Sequence, residues 1–249
     1  DAYDAVLRYR HYVCDEPERN RTPTATALES ATTVTPRYAM ASAMLSGVYV
    51  DDYNLGPSAD EPALDRAFHL AGRAVALDPA SQQARWNLAY VYLHRHDVDA
   101  CLAEADRAID LNPDNATLAG EIGWSMALLG QWERGLALLA RSHWLNPHHP
   151  SRWHSAWYLD RYRQGDYEGA LQYARLFAQP RRFWDPLLHA AAFGQLGRQG
   201  EAYREISRLL ELVPDFGRRG RDLIRRWVYS GGLDEMLIAG VRKAGLAVD

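Results

Sequence analysis

At 249 residues, 47% of them hydrophobic and 24% charged, the chain is long enough for one large domain or two ordinary ones and too apolar for a disordered tail. A net charge of −4 argues against a dedicated nucleic-acid binder, which would carry a basic face. No stretch approaches 18 consecutive apolar residues, so no membrane insertion is expected. Two cysteines, Cys14 and Cys101, make no disulfide framework. Arginine supplies nearly all the basic charge, with Lys243 the single lysine, a bias that points to a GC-rich bacterial gene. With neither an initiator Met nor a signal-peptide pattern, the chain reads as a cytoplasmic piece cut or processed from a longer protein.

The first predicted element is a helix over "AYDAVLRYRHY" (2–12), followed by "TATALESATTVTP" (24–36), which reads as the second helix of a weak first pair. Proline then punctuates the chain. Pro36 stands 43 residues before Pro79, a period holding about nine inserted residues within "DDYNLGPSADEPALDRA". "VALDP" ends at Pro79, "IDLNP" at Pro113 and "HWLNP" at Pro147, 34 residues apart, and Pro180 and Pro214 continue the series at 33 and 34. A fixed period of about 34 marks a solenoid of helix pairs.

Between Gln82 and Pro113, apolar residues recur at three and four, the spacing of a helical face. Asp97 stands where the second helix of that pair needs an N-cap, and Gly130 separates the helices of the next. Small residues fall at matching points, Ala89, Cys101 and Ala108 in one period, Gly123, Gly135 and Ser142 in the next, then Ala190 and Ala202. Helices approach closely only where such residues lie at the crossing. Cys101, equivalent to Gly135, Ala170 and Ala202, is therefore expected to be a buried small residue and not a nucleophile.

Trp86, Leu88-Ala89, Tyr92, Ala108 and Pro113 together resemble the tetratricopeptide repeat (TPR) family, as do "YRQGDYEGALQYA" (162–174) and "GQLGRQGEAYREI" (194–206). The resemblance implies an all-α, right-handed superhelix in a single domain, 1–249. Its six pairs would span about 3–36, 37–79 with an insert near 51–61, 80–113, 114–147, 148–180 and 181–214, with a cap over 215–249. The order of features, closing on "GLDEMLIAGVRKAGLAVD", also resembles the TPR segment at the C-terminal end of bacterial adenylate cyclases and winged-helix transcriptional regulators. That likeness would put any catalytic or DNA-binding domain upstream of Asp1.

In TPR arrays the first helix of each pair lines a concave groove. Carried onto this sequence, the groove positions are Met40, Ala43 and Gly47, then Gln83, Trp86, Tyr90 and His94, then Thr117, Gly120, Trp124 and Leu128. Arg152, Ser155, Leu159 and Arg163 follow from the fifth pair, and Trp184, Leu187 and Ala191 from the sixth. The aromatics among them fit anchors for a peptide or helix, although Trp and Tyr also fill inter-repeat cores. The clamp that holds chaperone C-termini needs a cationic set that Gln83, Trp86 and Gly120 do not supply.

Histidines are locally dense at His94, His96, His143, His148, His149 and His154, but they lack metal-site spacing and are expected as solvated turn residues. The run "FGRRGRDLIRRW" (216–227) carries five arginines, expected on the solvated face of a capping helix whose apolar side is Leu223, Ile224 and Trp227. No metal, cofactor or catalytic constellation is expected. The residues point to a non-enzymatic module that binds a protein or peptide in the groove, its own upstream output domain included, as the sensor or interaction part of a signalling protein. The alternative is a small-molecule sensor with a pocket enclosed by the superhelix. Uncapped terminal repeats would favour a homodimer, but the polar "GVRKAGLAVD" end reads as a cap.

Overall fold

The computed structural model describes residues 2–14, 17–55 and 61–249, without the side chains of 14, 17–19, 55 and 61. Among the described residues there are fourteen α-helices and no strand. The pairs are α1 (Ala2–Cys14) with α2 (Pro17–Val34), α3 (Ala39–Leu55) with α4 (Glu61–Leu77), and α5 (Gln82–His94) with α6 (Val98–Leu111). Then come α7 (Ala116–Leu128) with α8 (Trp132–Leu145), α9 (His154–Arg163) with α10 (Tyr167–Phe177), and α11 (Trp184–Gln195) with α12 (Gln199–Leu212). Helices α13 (Phe216–Arg225) and α14 (Leu233–Lys243) follow. No helix among the described residues is long and apolar enough to cross a membrane.

The recurring Asp/Asn-Pro has a local physical cause. Asp78, Asn112 and Asn146 each accept, through the side-chain oxygen, the backbone N–H two residues on, at 3.2 Å in every case. The short polar side chain thus replaces a backbone turn bond across a proline that has no N–H to give. The second helix of two pairs opens on an aspartate cap, Asp97 accepting from Ala100 N at 3.1 Å and Asp166 from Gly169 N at 2.9 Å. The surplus in the second pair lengthens its helices. Both α3 and α4 have 17 residues where α5 and α6 have 13 and 14, and residues 56–60 of the expected insert lie outside the described residues.

Inside the later pairs the turn needs one residue with positive φ, met by Gly130 (84°), Gly165 (79°) and Gly197 (70°). The α5–α6 turn places His96 there at 60°. A Cβ in that region is disfavoured by about 1–2 kcal/mol, partly offset for glycine by its looser unfolded chain. His96→Gly should therefore raise stability by about 1 kcal/mol, read as a rise in the denaturant midpoint at unchanged slope.

By contact the residues divide into two compact units, Asp1–Ile122 and Gly123–Asp249, the division falling within α7. In the first unit, Ala43, Ala74 and Ala84 come together fully buried, letting α3, α4 and α5 approach. Two further buried clusters in this unit hold Tyr12, Leu28, Met44 and Val48, and Val50, Leu64, Leu88 and Val91. Cys101 is buried here, and burial, with the charge of Asp97, pushes its thiol up to about 12, so it offers no thiolate at neutral pH. In the second unit, α7 and α8 cross at paired glycines. A Cβ on Gly135 would lie 2.6 Å from the Gly123 carbonyl oxygen and 2.7 Å from Ala127 N. Trp153, Tyr158, Tyr162, Leu187 and Phe216 are fully buried there.

Candidate functional site

In the first unit, the side chains facing one another across α1, α3 and α5 make a polar and aromatic strip. Gly47 of α3 leaves room for the Tyr9 hydroxyl, which would stand 2.6 Å from any Cβ there, with Asn87 Nδ2 at 3.0 Å. Asn87 Nδ2 donates to the Ala43 carbonyl (2.7 Å) and its Oδ1 accepts from Gln83 Nε2 (2.6 Å), so this amide ties α5 to α3. Tyr12 donates to Asp51 Oδ2 at 2.5 Å. Its burial, reinforced by the Asp51 charge, holds the phenol protonated well above its usual range.

Further along α5, the Tyr90 ring meets His94 edge-on at 4.8 Å and Trp86 at 5.6 Å. Asn54 Nδ2 lies 3.1 Å from His94 Nε2, which must accept, placing the ring proton on Nδ1. Of the four α5 residues expected in the groove, Trp86 and His94 are buried, whereas Gln83 and Tyr90 remain half-buried. His94 was expected in a solvated turn and is instead 1% exposed, because α3 runs long enough to bring Asn54 and Tyr53 over it. Thr117 is exposed.

In the second unit the corresponding face is covered by the chain itself. Trp124, 5% exposed, packs against Trp227 with ring centres 5.6 Å apart, while the Arg152 guanidinium lies 5.9 Å from its centroid. The Leu128 carbonyl accepts from Tyr229 N at 3.4 Å, and Leu128 is buried. Helix α14 then crosses α9 and α11. The Tyr162 hydroxyl donates to the Met236 carbonyl (3.1 Å), a Cβ on Gly240 would fall 2.5 Å from the Ala191 carbonyl oxygen, and Lys243 Nζ donates to Gln195 Oε1 (2.7 Å). Leu233, Leu237, Ile238 and Val241 are buried in this contact. At about 1.5–3 kcal/mol for each such side chain, the segment is part of the fold rather than a loose strap. Arg163 turns to Asp160 (2.6 Å) and the Trp132 ring (4.7 Å), and Trp184 packs half-buried on Phe183. The structure therefore joins Trp124, Leu128 and Arg152 to the C-terminal segment and leaves Arg163 and Trp184 apart from them.

The arginine-rich helix α13 faces carboxylates. Arg218 pairs with Asp215 (2.9 Å), Arg225 with Asp234 (2.8 Å), and Arg221 with Glu235, while Leu223 and Ile224 are buried. Tyr9, Tyr12, Asp51, Asn54 and Asn87 escaped the repeat pattern. Their one signal was local, Tyr9 and Tyr12 spaced by three on the first helix. Among the described residues, no group of three or more His, Cys, Asp or Glu is arranged to hold a metal ion.

No family model matches the sequence, and no curated protein matches it. Solved structures do. PilW, a widely conserved type IV pilus biogenesis factor, is 20% identical at a TM-score of 0.57, covering 86% of this chain and 94% of that one. PilF of Pseudomonas aeruginosa is 18% identical at 0.55, covering 86% and 92%. A tetratricopeptide repeat protein from Parabacteroides merdae is 12% identical at 0.52, covering 98% of each chain. The fold is thus the all-α fold of tetratricopeptide repeat proteins, established by structure at identities that carry no more than the fold.

Proposed function

We propose that this chain is a non-catalytic protein-binding module that takes a peptide or helix on the α5 face of its first unit, centred on Gln83 and Tyr90. The observation behind this reading is an asymmetry between the units. The equivalent face of the second unit is filled by residues 227–243, whereas Tyr90, Gln83, Tyr9 and Met40 keep part of their surface on the first. A half-buried tyrosine on a rigid helix, beside amides already held in place, is the kind of anchor that dominates interface energy. We read the partner as another protein or an output domain of the same polypeptide, within a cytoplasmic bacterial signalling protein of the cyclase or winged-helix regulator type.

The small-molecule reading gains nothing from two of the cavities among the described residues. One of about 580 Å³ is lined by Gly130–Arg134 and Ala137, and one of about 300 Å³ lies between α1 and α2 near Leu7 and Thr24. Neither reaches the α5 strip. The test is selection of binders from a displayed peptide library against the whole chain, followed by titration. Tyr90→Ala should weaken the selected peptides at least tenfold, measured at a temperature where the variant, which loses the ring contacts to Trp86 and His94, is shown folded. Tyr203→Ala, which trims a tyrosine 71% exposed on α12, should leave them unchanged. Peptides indifferent to Tyr90→Ala would overturn the assignment of the face.

A further inference from the structure

The sequence placed His143, His149 and His154 in separate solvated turns, and the structure gathers them. Pro150 and a 3-10 turn, Ser151–Trp153, fold the chain back after α8, so that three imidazoles meet at the α8–α9 junction. His143 Nδ1 lies 2.6 Å from His149 Nε2 with ring centres 4.4 Å apart, and His154 stands 5.0 Å from His149 and 6.1 Å from His143.

Hydrogen bonding fixes the protons. His149 Nδ1, 3.2 Å from the Pro150 carbonyl, must donate to it. Its Nε2 is then the acceptor and His143 Nδ1–H the donor. One added proton can be carried across this bond, but with both rings protonated the contact would set N–H against N–H. His154, 8% exposed, has an Nδ1 with no hydrogen-bond partner. Facing it are His143 of α8, His149 of the turn, and Trp157 and Tyr173 of α9 and α10, the last stacked at 6.3 Å. Arg152 of the 3-10 turn is directed at the Trp124 ring. The charges acting on His154 come from His149 and His143.

We propose that this cluster is an acid-sensitive latch holding α9 to the end of α8, closed while it carries at most one proton and opened by the second. The first proton has a place. On His143 Nε2 it leaves the Nδ1–H···Nε2 bond intact. A second proton has none. On His149 it breaks the bond, and on His154 it charges a buried ring.

Burial, reinforced by His149 and His143, lowers His154 to about 4. Because its unfolded value is higher, about 6.5, the open state takes up the proton first as pH falls. The junction is therefore at full strength above about pH 6.5 and weakens progressively from there toward pH 4. Opening moves His149 off Trp153, a fully buried ring stacked on it at 5.5 Å.

The experiment follows tryptophan emission and melting temperature of the full chain from pH 7.5 to 4 in the presence of a chelator. The wild type should show an emission step between pH 6.5 and 4 with a parallel loss of melting temperature. His154→Phe should move that step down by at least one pH unit. Should His154→Phe fail to fold, the exposed His143→Ala, which removes the donor to His149, should alter the same step. No step in the wild type, or the same step in every folded variant, would overturn the latch. So would a rise in wild-type melting temperature with Zn²⁺ at pH 7.5 that the variants lose, which would make the cluster a metal site instead.

Discussion

Gly194→Val should destabilise the chain by about 3–5 kcal/mol, among the largest effects of any single substitution outside the aromatic core. Gly194 lies in α11 where α14 crosses it backbone to backbone. A Cβ there would collide with the Gly240 carbonyl oxygen and stand 2.8 Å from Ala244 N and 3.1 Å from Ala244 Cβ. Two of those atoms are backbone, so no side-chain rotation relieves the clash and α14 must move away. Leu233, Leu237, Ile238 and Val241 then lose part of their cover, and the Tyr162–Met236 and Lys243–Gln195 bonds lengthen or break. Gly72→Ala is the matched control. It stands in α4 with nothing within 4 Å of the new Cβ, so only helix propensity changes, and stability should rise by about 0.5–1 kcal/mol. Urea unfolding of the three chains decides the matter. A loss below about 1 kcal/mol for Gly194→Val would mean that α14 does not depend on that crossing.

What the sequence made legible was whatever a few neighbouring residues determine. The Asp/Asn-Pro turns, the Asp97 cap and the glycine turns are closed by bonds within five residues, so the 34-residue period carried them into the text. Small residues at crossings were readable for the same reason, since each helix carries its own. The direction in which an aromatic faces was not readable, because a partner from a distant helix decides it. Tyr90 and Trp124 occupy matching positions 34 residues apart, yet Tyr90 stays half-buried between Trp86 and His94 of its own helix while Trp124 is roofed by Trp227. The histidines misled for a related reason. The fifth pair is one residue short of the period, and the 3-10 turn that absorbs the difference swings His149 and His154 together. The strip on α1 and α3 was hidden because the first pair barely follows the repeat pattern.

Trp124→Ala should cost about 3–5 kcal/mol, and the loss should register as stability before it registers in any binding assay. The indole is 5% exposed, its ring packs on Trp227, and its Nε1–H donates to Ser155 Oγ at 2.9 Å. Ser155 in turn donates to the Arg152 carbonyl at 2.7 Å, so one hydroxyl links α7 to the start of α9 through the tryptophan. Truncation to alanine empties the ring's volume and leaves that hydroxyl short of a donor. Trp124→Phe should keep most of the packing and lose about 1–2 kcal/mol, chiefly the hydrogen bond and the unfilled part of the indole. Trp227→Ala should be costly as well, and the double variant should fall short of the sum of the two single losses by about 0.5–1.5 kcal/mol, since the two rings pack on each other at that contact. Full additivity in that cycle would separate the C-terminal segment from Trp124, and with it the reason why the second unit's face is closed. Because Trp124 acts in this way, a binding defect in Trp124→Ala says nothing about a ligand unless the variant is shown folded, and the half-buried Tyr90, packed on Trp86 and His94, needs the same control.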